Sequence, residues 1–285
     1  MNIADALQAT PVSSLDLTRH VTVATDASVA TTVGAMTDAK RSCACVVDGD
    51  RLVGIFTQRD FLMRVVGRRS TWDRPIEDEM TRAVRTMRND QTAADGLAIM
   101  NDWWVRSVPV VDDGDHLVGN LSFYTIIATI GNLLKSRIES DPESGPGIQD
   151  GLEFVDFTGM NTHTPVSVSA TDTIETAVHH MRNRAIGSLL VTDERDSLVG
   201  TITEFDLLTR IGCARDDLDQ ISVAYIMTPD PIALSSRSSI ADAIQEMIEN
   251  EFSHLPLVGA SGKPVGVTSV RDIATFIETT LETMG

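Results

Sequence analysis

The same order of apolar and polar positions occurs four times along the chain. Each copy begins with a short alternating strand, continues with apolar residues at i, i+4 and i+7 on one helix face, and ends with two apolar runs separated by a polar turn. The helix residues are Val29, Val33 and Met36; Ala93, Leu97 and Met100; Ile174, Val178 and Met181; and Ile240, Ile244 and Met247. The pattern predicts a repeated β-α-β-β-α unit of roughly 60 residues.

The spacing within the four copies is too constant to arise by chance. In every copy, 13 positions separate the end of the first strand from the helix methionine; the strands end at Val23, Met87, Val168 and Leu234. A glycine follows the methionine by 18 positions in the first copy and by 19 in the others, at Gly54, Gly119, Gly200 and Gly266. We predict that a second helix follows each glycine and ends near Gly67, Gly131 or Gly212 in the first three copies.

The intervals between these glycines divide the copies into two pairs. The intervals within the pairs are 65 and 66 residues, whereas the middle interval is 81. The additional residues include 140–147, which show no periodicity and hold two prolines, as expected of a linker. We therefore predict a first pair at 1–138 (copies at 8–68 and 76–136), a linker at 139–151 and a second pair at 152–285 (copies at 153–213 and 221–283).

Composition indicates a soluble globular protein of 285 residues, 42% hydrophobic and 22% charged. No apolar run approaches the roughly 18 residues of a membrane helix, and the first residues lack the pattern of a signal peptide, so we expect a cytoplasmic protein. The 3 cysteines show no Cys-x-x-Cys spacing, which argues against a disulfide framework and a zinc site. We expect Cys43 and Cys45 to be small buried residues of a strand.

The net charge of −18 argues against nucleic acid as a partner, because a phosphate backbone needs a basic face. The excess of Asp over Glu and the 3 lysines favour a halophilic host, although a GC-rich genome would also raise Arg over Lys. In either case an anionic ligand must find local cations or helix ends, since the long-range field repels it.

The glycine opens a motif, Gly-x-x-[Ser/Thr]-x-x-Asp, which has two interpretations. Three copies carry it, at Thr57 and Asp60, Thr203 and Asp206, and Ser269 and Asp272; the second copy has Ser122 and Thr125 instead. Ser or Thr followed by an acid three residues later is a capping box, which needs no ligand. The first turn of a helix is also a natural seat for phosphate, and an aspartate one turn later can accept hydrogen bonds from ribose.

The fourfold unit, its pairing, this motif and the strands Val108-Pro109-Val110 and Leu255-Pro256-Leu257 resemble cystathionine-β-synthase (CBS) domains over nearly the whole chain. The resemblance implies an α+β fold of four βαββα repeats in two pseudo-symmetric pair modules, whose clefts bind AMP, ADP, ATP or S-adenosylmethionine. In that family the Ser/Thr contacts phosphate and the Asp contacts ribose. The implied ligand-binding residues are Thr57, Asp60, Thr203, Asp206, Ser269 and Asp272.

The resemblance also implies further ligand contacts. They are Val21, Val166 and Ile232 for the base and His254 for phosphate. Arg59 and Arg271 flank the aspartates and either supply cations or are solvated helix residues. Thr125 cannot hold two ribose hydroxyls as a carboxylate does, so we expect Ser122 and Thr125 to cap a helix only, leaving at most three sites. Trp103 and Trp104 either cover a contact between the pairs or pack on a groove wall.

These features favour a regulatory protein, an energy sensor that binds an adenosine nucleotide and signals to a protein partner. The γ subunit of AMP-activated protein kinase is similar in carrying four such domains. The alternatives are a scaffold whose motifs only cap helices and, less favoured, an enzyme that uses the repeated carboxylates. We expect no catalytic residue, catalytic cofactor, metal or membrane partner. The two pairs are expected to associate within one chain as a disc, with a homodimer as the alternative.

Overall fold

The computed structural model describes residues 3–140, 156–157, 160 and 162–284, and it confirms a mixed α+β fold. The helices are α1 (Ile3–Ala9), α2 (Val29–Asp38), α3 (Gln58–Asp60, continued by the π-helical Phe61–Val65), α4 (Ala93–Asp102), α5 (Phe123–Ser140), α6 (Ile174–Arg184), α7 (Glu204–Asp206, continued by the π-helical Leu207–Ile211), α8 (Ile240–Glu249) and α9 (Val270–Met284). The strands are β1 (Val21–Ala24), β2 (Cys43–Asp48), β3 (Arg51–Thr57), β4 (Met87–Arg88), β5 (Ser107–Val111), β6 (Leu117–Ser122), β7 (Ser167–Ser169), β8 (Ser188–Thr192), β9 (Leu198–Thr203), β10 (Thr228–Pro229), β11 (Leu234–Ser235), β12 (His254–Val258) and β13 (Pro264–Ser269).

Each repeat builds one small sheet by the same rule. Its first strand pairs in parallel with the second, and the second pairs antiparallel with the third, giving the orders β1-β2-β3, β4-β5-β6, β7-β8-β9 and β11-β12-β13. The third sheet has a fourth strand, β10, which pairs antiparallel with β9. The predicted hairpins are therefore confirmed. Cys43 and Cys45 lie buried in β2, as predicted.

The repeat glycines lie where the two repeats of a pair approach each other. Thr201, next to Gly200, pairs with Thr228 of the following repeat, and a Cβ on Gly200 would lie 2.7 Å from Met227 Sδ. The corresponding bridge in the first pair joins Ile55 to Thr81. A larger side chain at the glycine would push these segments apart, so the spacing of the glycines reflects the packing within each pair.

The hydrophobic cores are shared between the pairs. One core combines the first and third repeats, with the inner faces of α2 and α6; the other combines the second and fourth repeats, with the inner faces of α4 and α8. Long apolar helices complete the second core, since α5 packs against α8 and α9. The expected association of the two pairs within one chain is thus present in the structure.

Two predicted helix ends are confirmed and one is wrong. Gly67 and Gly212 follow the π-helical stretches with φ of 72° and 52°, a left-handed backbone that glycine adopts without strain. Gly131 instead lies inside α5, where a Cβ would be 2.5 Å from Ile248 Cδ1 of α8. Close helix packing, and not a helix end, therefore accounts for this glycine. Of the predicted linker, residues 141–151 lie outside the described residues.

Candidate functional site

The three Ser/Thr-x-x-Asp motifs form helix capping boxes. The hydroxyl of Thr57 accepts a hydrogen bond from the backbone N–H of Asp60, at 3.2 Å, while Asp60 Oδ2 accepts from the Thr57 N–H at 2.9 Å and its hydroxyl at 2.7 Å. Thr203 and Asp206 repeat this arrangement, as do Ser269 and Asp272. The capping interpretation is therefore structurally correct, and a ligand-binding role must be compatible with it.

Capping uses only one oxygen of each aspartate. Asp60 Oδ1 accepts a hydrogen bond from the Thr81 hydroxyl at 3.3 Å and lies 3.4 Å from Arg64 Nη2. Asp206 Oδ1 accepts from the Thr228 hydroxyl at 3.5 Å and lies 3.4 Å from Arg210 Nη2. Asp272 Oδ1 lies 3.1 Å from His163 Nε2. Because an ionised carboxylate offers about four lone-pair positions, Oδ1 can accept further hydrogen bonds while Oδ2 caps the helix.

The second copy has a threonine in place of the aspartate, and its serine caps the following helix. The Thr125 N–H donates to the Ser122 hydroxyl at 3.2 Å, which caps α5. The Thr125 hydroxyl, in turn, donates to the backbone oxygen of Asp16 at 3.2 Å, and the residue is only 4% exposed. This hydroxyl therefore has a protein partner and little access to a ligand.

Two of the motif pairs open onto one cavity of about 770 Å³, within the range typical of small-molecule sites. Thr57 and Asp60 lie in it with Ser269 and Asp272, so the first and last repeats contribute to the same space. The first parts of the second and third repeats, at 81–85 and 163–166, also contribute residues to its wall. All four repeats thus contribute to the wall of this cavity, which joins clefts of both pairs and is called the central cavity below.

Arginines concentrate in this cavity despite the net charge of −18. Among its described lining residues are Arg59, Arg85, Arg106 and Arg271. Arg85 stacks on Trp103, with its guanidinium carbon 3.3 Å from the ring centroid, and Arg271 lies 5.4 Å from the ring of Trp104. The cavity therefore supplies the local cations that an anionic ligand of this acidic protein requires.

Arg59 and Arg106 meet a buried carboxylate. Glu204, with a fully buried side chain, places Oε1 2.8 Å from Arg59 Nε and Oε2 2.5 Å from Arg106 Nη1. The contact brings together residues of the first, second and third repeats. Desolvation lowers the pKa of Arg59 from its ordinary value. The negative charge of Glu204 opposes this shift, and the positive charge of Arg106 adds to it.

Arg271 and His254 line the same cavity and are both partly or fully removed from water. Nε and Nη2 of Arg271 are buried and have no hydrogen-bond partner within the described part of the chain. Burial, with Arg106 and Arg59 nearby, lowers the pKa of His254 to about 3. His254 is therefore neutral near pH 7, and one of its ring nitrogens can accept a hydrogen bond.

The structure brings together most, but not all, of the predicted ligand contacts. Lining this cavity are Thr57, Asp60, Ser269, Asp272, Val166, His254, Arg59 and Arg271. Four predicted contacts do not line it: Thr203, Asp206, Val21 and Ile232. Val21 packs against the core of the first and third repeats, and Ile232 is 40% exposed. Val84 and Arg85, from the first part of the second repeat, line the cavity together with Asp60.

The sequence interpretation missed Arg85, Arg106 and Glu204. A comparison of the four copies would have found two of them, because Arg106 stands where the other repeats have Ser42, Gly187 and Ser253. Glu204 stands where they have Gln58, Phe123 and Val270. Trp103 and Trp104 line the cavity wall and are 52% and 81% exposed.

Comparison with known proteins agrees with this geometry. The family model of the CBS domain matches residues 12–67, 76–132, 156–212 and 223–279. The chain belongs to the CBS-domain family. The resemblance drawn from the sequence is thus confirmed, and the four repeats are CBS repeats.

Individual relatives match nearly the whole chain. The meiotically up-regulated gene 70 protein of Schizosaccharomyces pombe is 26% identical over 95% of this chain and 44% of its own length. An uncharacterised protein of Methanocaldococcus jannaschii is 25% identical over 94% of this chain and 62% of its own. The chain therefore spans about half the length of these relatives.

A solved structure confirms the fold. It is a Methanocaldococcus jannaschii protein described as a candidate archaeal homologue of γ-AMPK, with a TM-score of 0.75, 17% identity, and coverage of 92% of this chain and 97% of that one.

Within the described residues, no helix has the length and apolar character that crossing a membrane requires. The same residues hold no group of three side chains suited to a metal ion.

Proposed function

We propose that this protein is a non-catalytic regulatory module whose central cavity binds an adenosine nucleotide or a related adenosyl compound. One observation carries the proposal. A single cavity joins two Ser/Thr-x-x-Asp clefts to a cluster of arginines, within a chain whose net charge is −18. Hydroxyl-rich and anionic parts of one ligand would both find partners there.

Each part of such a ligand has a distinct partner. Ribose hydroxyls would donate to Oδ1 of Asp60 or Asp272, whose other oxygens remain in the capping boxes. The phosphate would take charge-assisted hydrogen bonds from Arg271, whose Nε and Nη2 lack partners among the described residues, and from the neighbouring guanidiniums. Val84 and Val166 would contact the base in the two clefts.

We propose that ligand occupancy reaches a partner protein through the packing between the pairs. Repeats of both pairs line the cavity, and both hydrophobic cores are shared between the pairs. A ligand that bridges the clefts therefore favours one arrangement of the pairs over others, and the exposed surface changes with that population. Sensing of cellular energy and location in the cytoplasm belong to this proposal.

Two alternatives have less support. A scaffold needs the capping boxes but not four arginines around an internal cavity. An enzyme would use the aspartates as acid and base, yet Oδ2 of each one is already held by two hydrogen bonds of its own capping box.

The third predicted site, at Thr203 and Asp206, has the same capping geometry as the other two, and we propose that it is a separate, weaker cleft.

Isothermal titration calorimetry of the full chain tests the proposal. Adenosine, AMP, ATP and S-adenosylmethionine are titrated into wild type, Asp60→Asn and Asp272→Asn, with Asp95→Asn as a matched control. Asp95 forms a capping box with Thr92 but does not line the cavity. We expect saturable binding of at least one compound, weakened by Asp60→Asn or Asp272→Asn but not by Asp95→Asn. Absence of binding by all four compounds at millimolar concentration would refute the proposal.

A further inference from the structure

Glu204, Arg59 and Arg106 form a buried ion cluster at the wall of the ligand cavity, which the two arginines line and Glu204 does not. The backbone N–H of Glu204 donates to the oxygen of Gly187 at 3.0 Å, and the same bond joins Gln58 to Ser42, Phe123 to Arg106 and Val270 to Ser253. These four equivalent bonds show that Glu204 and Arg106 occupy positions that are uncharged in the other repeats.

The surrounding residues make room for this cluster. A Cβ on Gly187 would lie 2.5 Å from Arg106 Nη2 and 3.2 Å from Glu204 Oε2, so only glycine leaves the space for the contact. Arg59 reaches the same carboxylate from the first repeat while its Nη1 donates to the backbone oxygen of Ile186 at 3.4 Å. Three repeats thus contribute side chains to one ion cluster.

The cluster sets the charge that a ligand meets. Arg59, Arg85, Arg106 and Arg271 line the cavity, and the buried carboxylate of Glu204 compensates two of them, Arg59 and Arg106. Burial of Glu204 removes it from competition with solvent ions, since screening by salt is weak away from water. Each additional negative charge on a ligand is therefore opposed by Glu204 and by the acidic chain as a whole.

We propose that Glu204 is a specificity-determining residue that restricts the cavity to adenosyl ligands of low negative charge, favouring a nucleoside monophosphate over a triphosphate. This inference rests on the proposed function of the cavity. A monophosphate finds cationic partners in Arg85 and Arg271, which Glu204 does not contact. A triphosphate brings two further charges and would have to displace Glu204 from Arg59 or Arg106.

Charge variants of the full chain test this inference. Dissociation constants for AMP and ATP are measured by calorimetry, without Mg²⁺, for wild type, Glu204→Gln, Arg106→Gln and the double variant. Glu175→Gln, which removes an exposed carboxylate of the same repeat, controls for the change in overall charge. Circular dichroism checks that each variant is folded.

We expect wild type to bind AMP more tightly than ATP. Glu204→Gln should shift the ratio of the two dissociation constants towards ATP by at least about tenfold. The reason is that the variant removes one unit charge that repels the two additional charges of ATP, at an effective dielectric constant of about 20. Arg106→Gln should shift the ratio in the opposite direction, and the double variant should return it to the wild-type value. Glu175→Gln should leave it unchanged.

Each other outcome has a defined meaning. AMP binding with the same AMP-to-ATP ratio in all variants overturns the role of Glu204 but leaves the proposed function standing. Failure of every adenosine compound to bind wild type overturns both. If Glu204→Gln does not fold, Arg106→Gln and the double variant decide, and a ratio in Arg106→Gln equal to that of wild type overturns the inference.

Discussion

Replacement of Asp272 by asparagine separates the capping role of the motif from ligand binding. The matched control is Asp242→Asn in the same repeat, because both aspartates cap a helix with a serine. Asp272 Oδ2 accepts the Ser269 N–H at 2.8 Å, and Asp242 Oδ2 accepts the Ser239 N–H at 2.9 Å. Asp272 lines the cavity and Asp242 does not. Asparagine keeps one acceptor oxygen for the cap but replaces the other oxygen by a donor.

The structure gives the size of each effect. Loss of the charged cap should lower the free energy of unfolding of either variant by about 1 kcal/mol or less without ligand. A ligand at a hundred times its dissociation constant adds about 2.7 kcal/mol for each site. Loss of a hydrogen bond to a charged acceptor removes roughly 1.5–3 kcal/mol of binding free energy, so Asp272→Asn should forfeit most of the contribution of that cleft.

Urea unfolding followed by circular dichroism, with and without saturating AMP, measures both effects. We expect Asp242→Asn to keep the full ligand-induced increase and Asp272→Asn to lose the share of one cleft. Equal ligand-induced increases in the two variants would show that Asp272 is a cap only. The nucleotide interpretation of this cleft would then be refuted.

Three further predictions concern packing, protonation and reactivity. Gly131→Leu should lower the free energy of unfolding by about 1–3 kcal/mol, because its side chain would meet Ile248, whereas Gly34→Leu, with open space around it in α2, should not; equal urea midpoints would contradict this. Between about pH 6.5 and 3 the unfolded chain binds a proton that folded His254 does not, so stability falls as the pH is lowered across this window, at up to about 1.4 kcal/mol per pH unit; His254→Gln should show a shallower slope, and identical slopes would refute the assignment. Burial raises the pKa of Cys43 to about 12, so its thiol should react with iodoacetamide at pH 8 only after unfolding, as mass spectrometry of the labelled peptide can show.

The repeat organisation was readable from the sequence because local patterns determine it. The helix faces of Val29, Val33 and Met36 and their equivalents follow from periodicity, and the capping boxes follow from the spacing of a Ser or Thr to an Asp. Both depend on residues a few positions apart, where backbone geometry alone sets the contacts.

The long-range arrangement was less accessible. Periodicity shows that α2 has an apolar face, but not that this face shares a core with α6 of the other pair. Gly131 looked like a helix end, since close packing against Ile248 leaves no local signal. Val21 packs against this same shared core, a contact that periodicity does not reveal.

The charges of the cavity depend on contacts between repeats. Arg106 and Glu204 are 98 residues apart in sequence, and each is an ordinary surface residue type when considered alone. The contact between them can be recognised only from the folded structure, and their unusual charge only from a comparison of the four copies. The resemblance to a family implied roles for the motif residues, whereas these two residues stand out only when the four repeats of this chain are compared with one another.

A crystal structure of the chain grown with AMP tests the central claim most directly. We predict AMP in the central cavity, with its ribose hydroxyls about 3 Å from Oδ1 of Asp60 or Asp272 and its phosphate against the arginine cluster. The capping hydrogen bonds of Oδ2 should persist beside the ligand. An empty cavity at saturating AMP, or AMP bound away from both aspartates, would contradict the account.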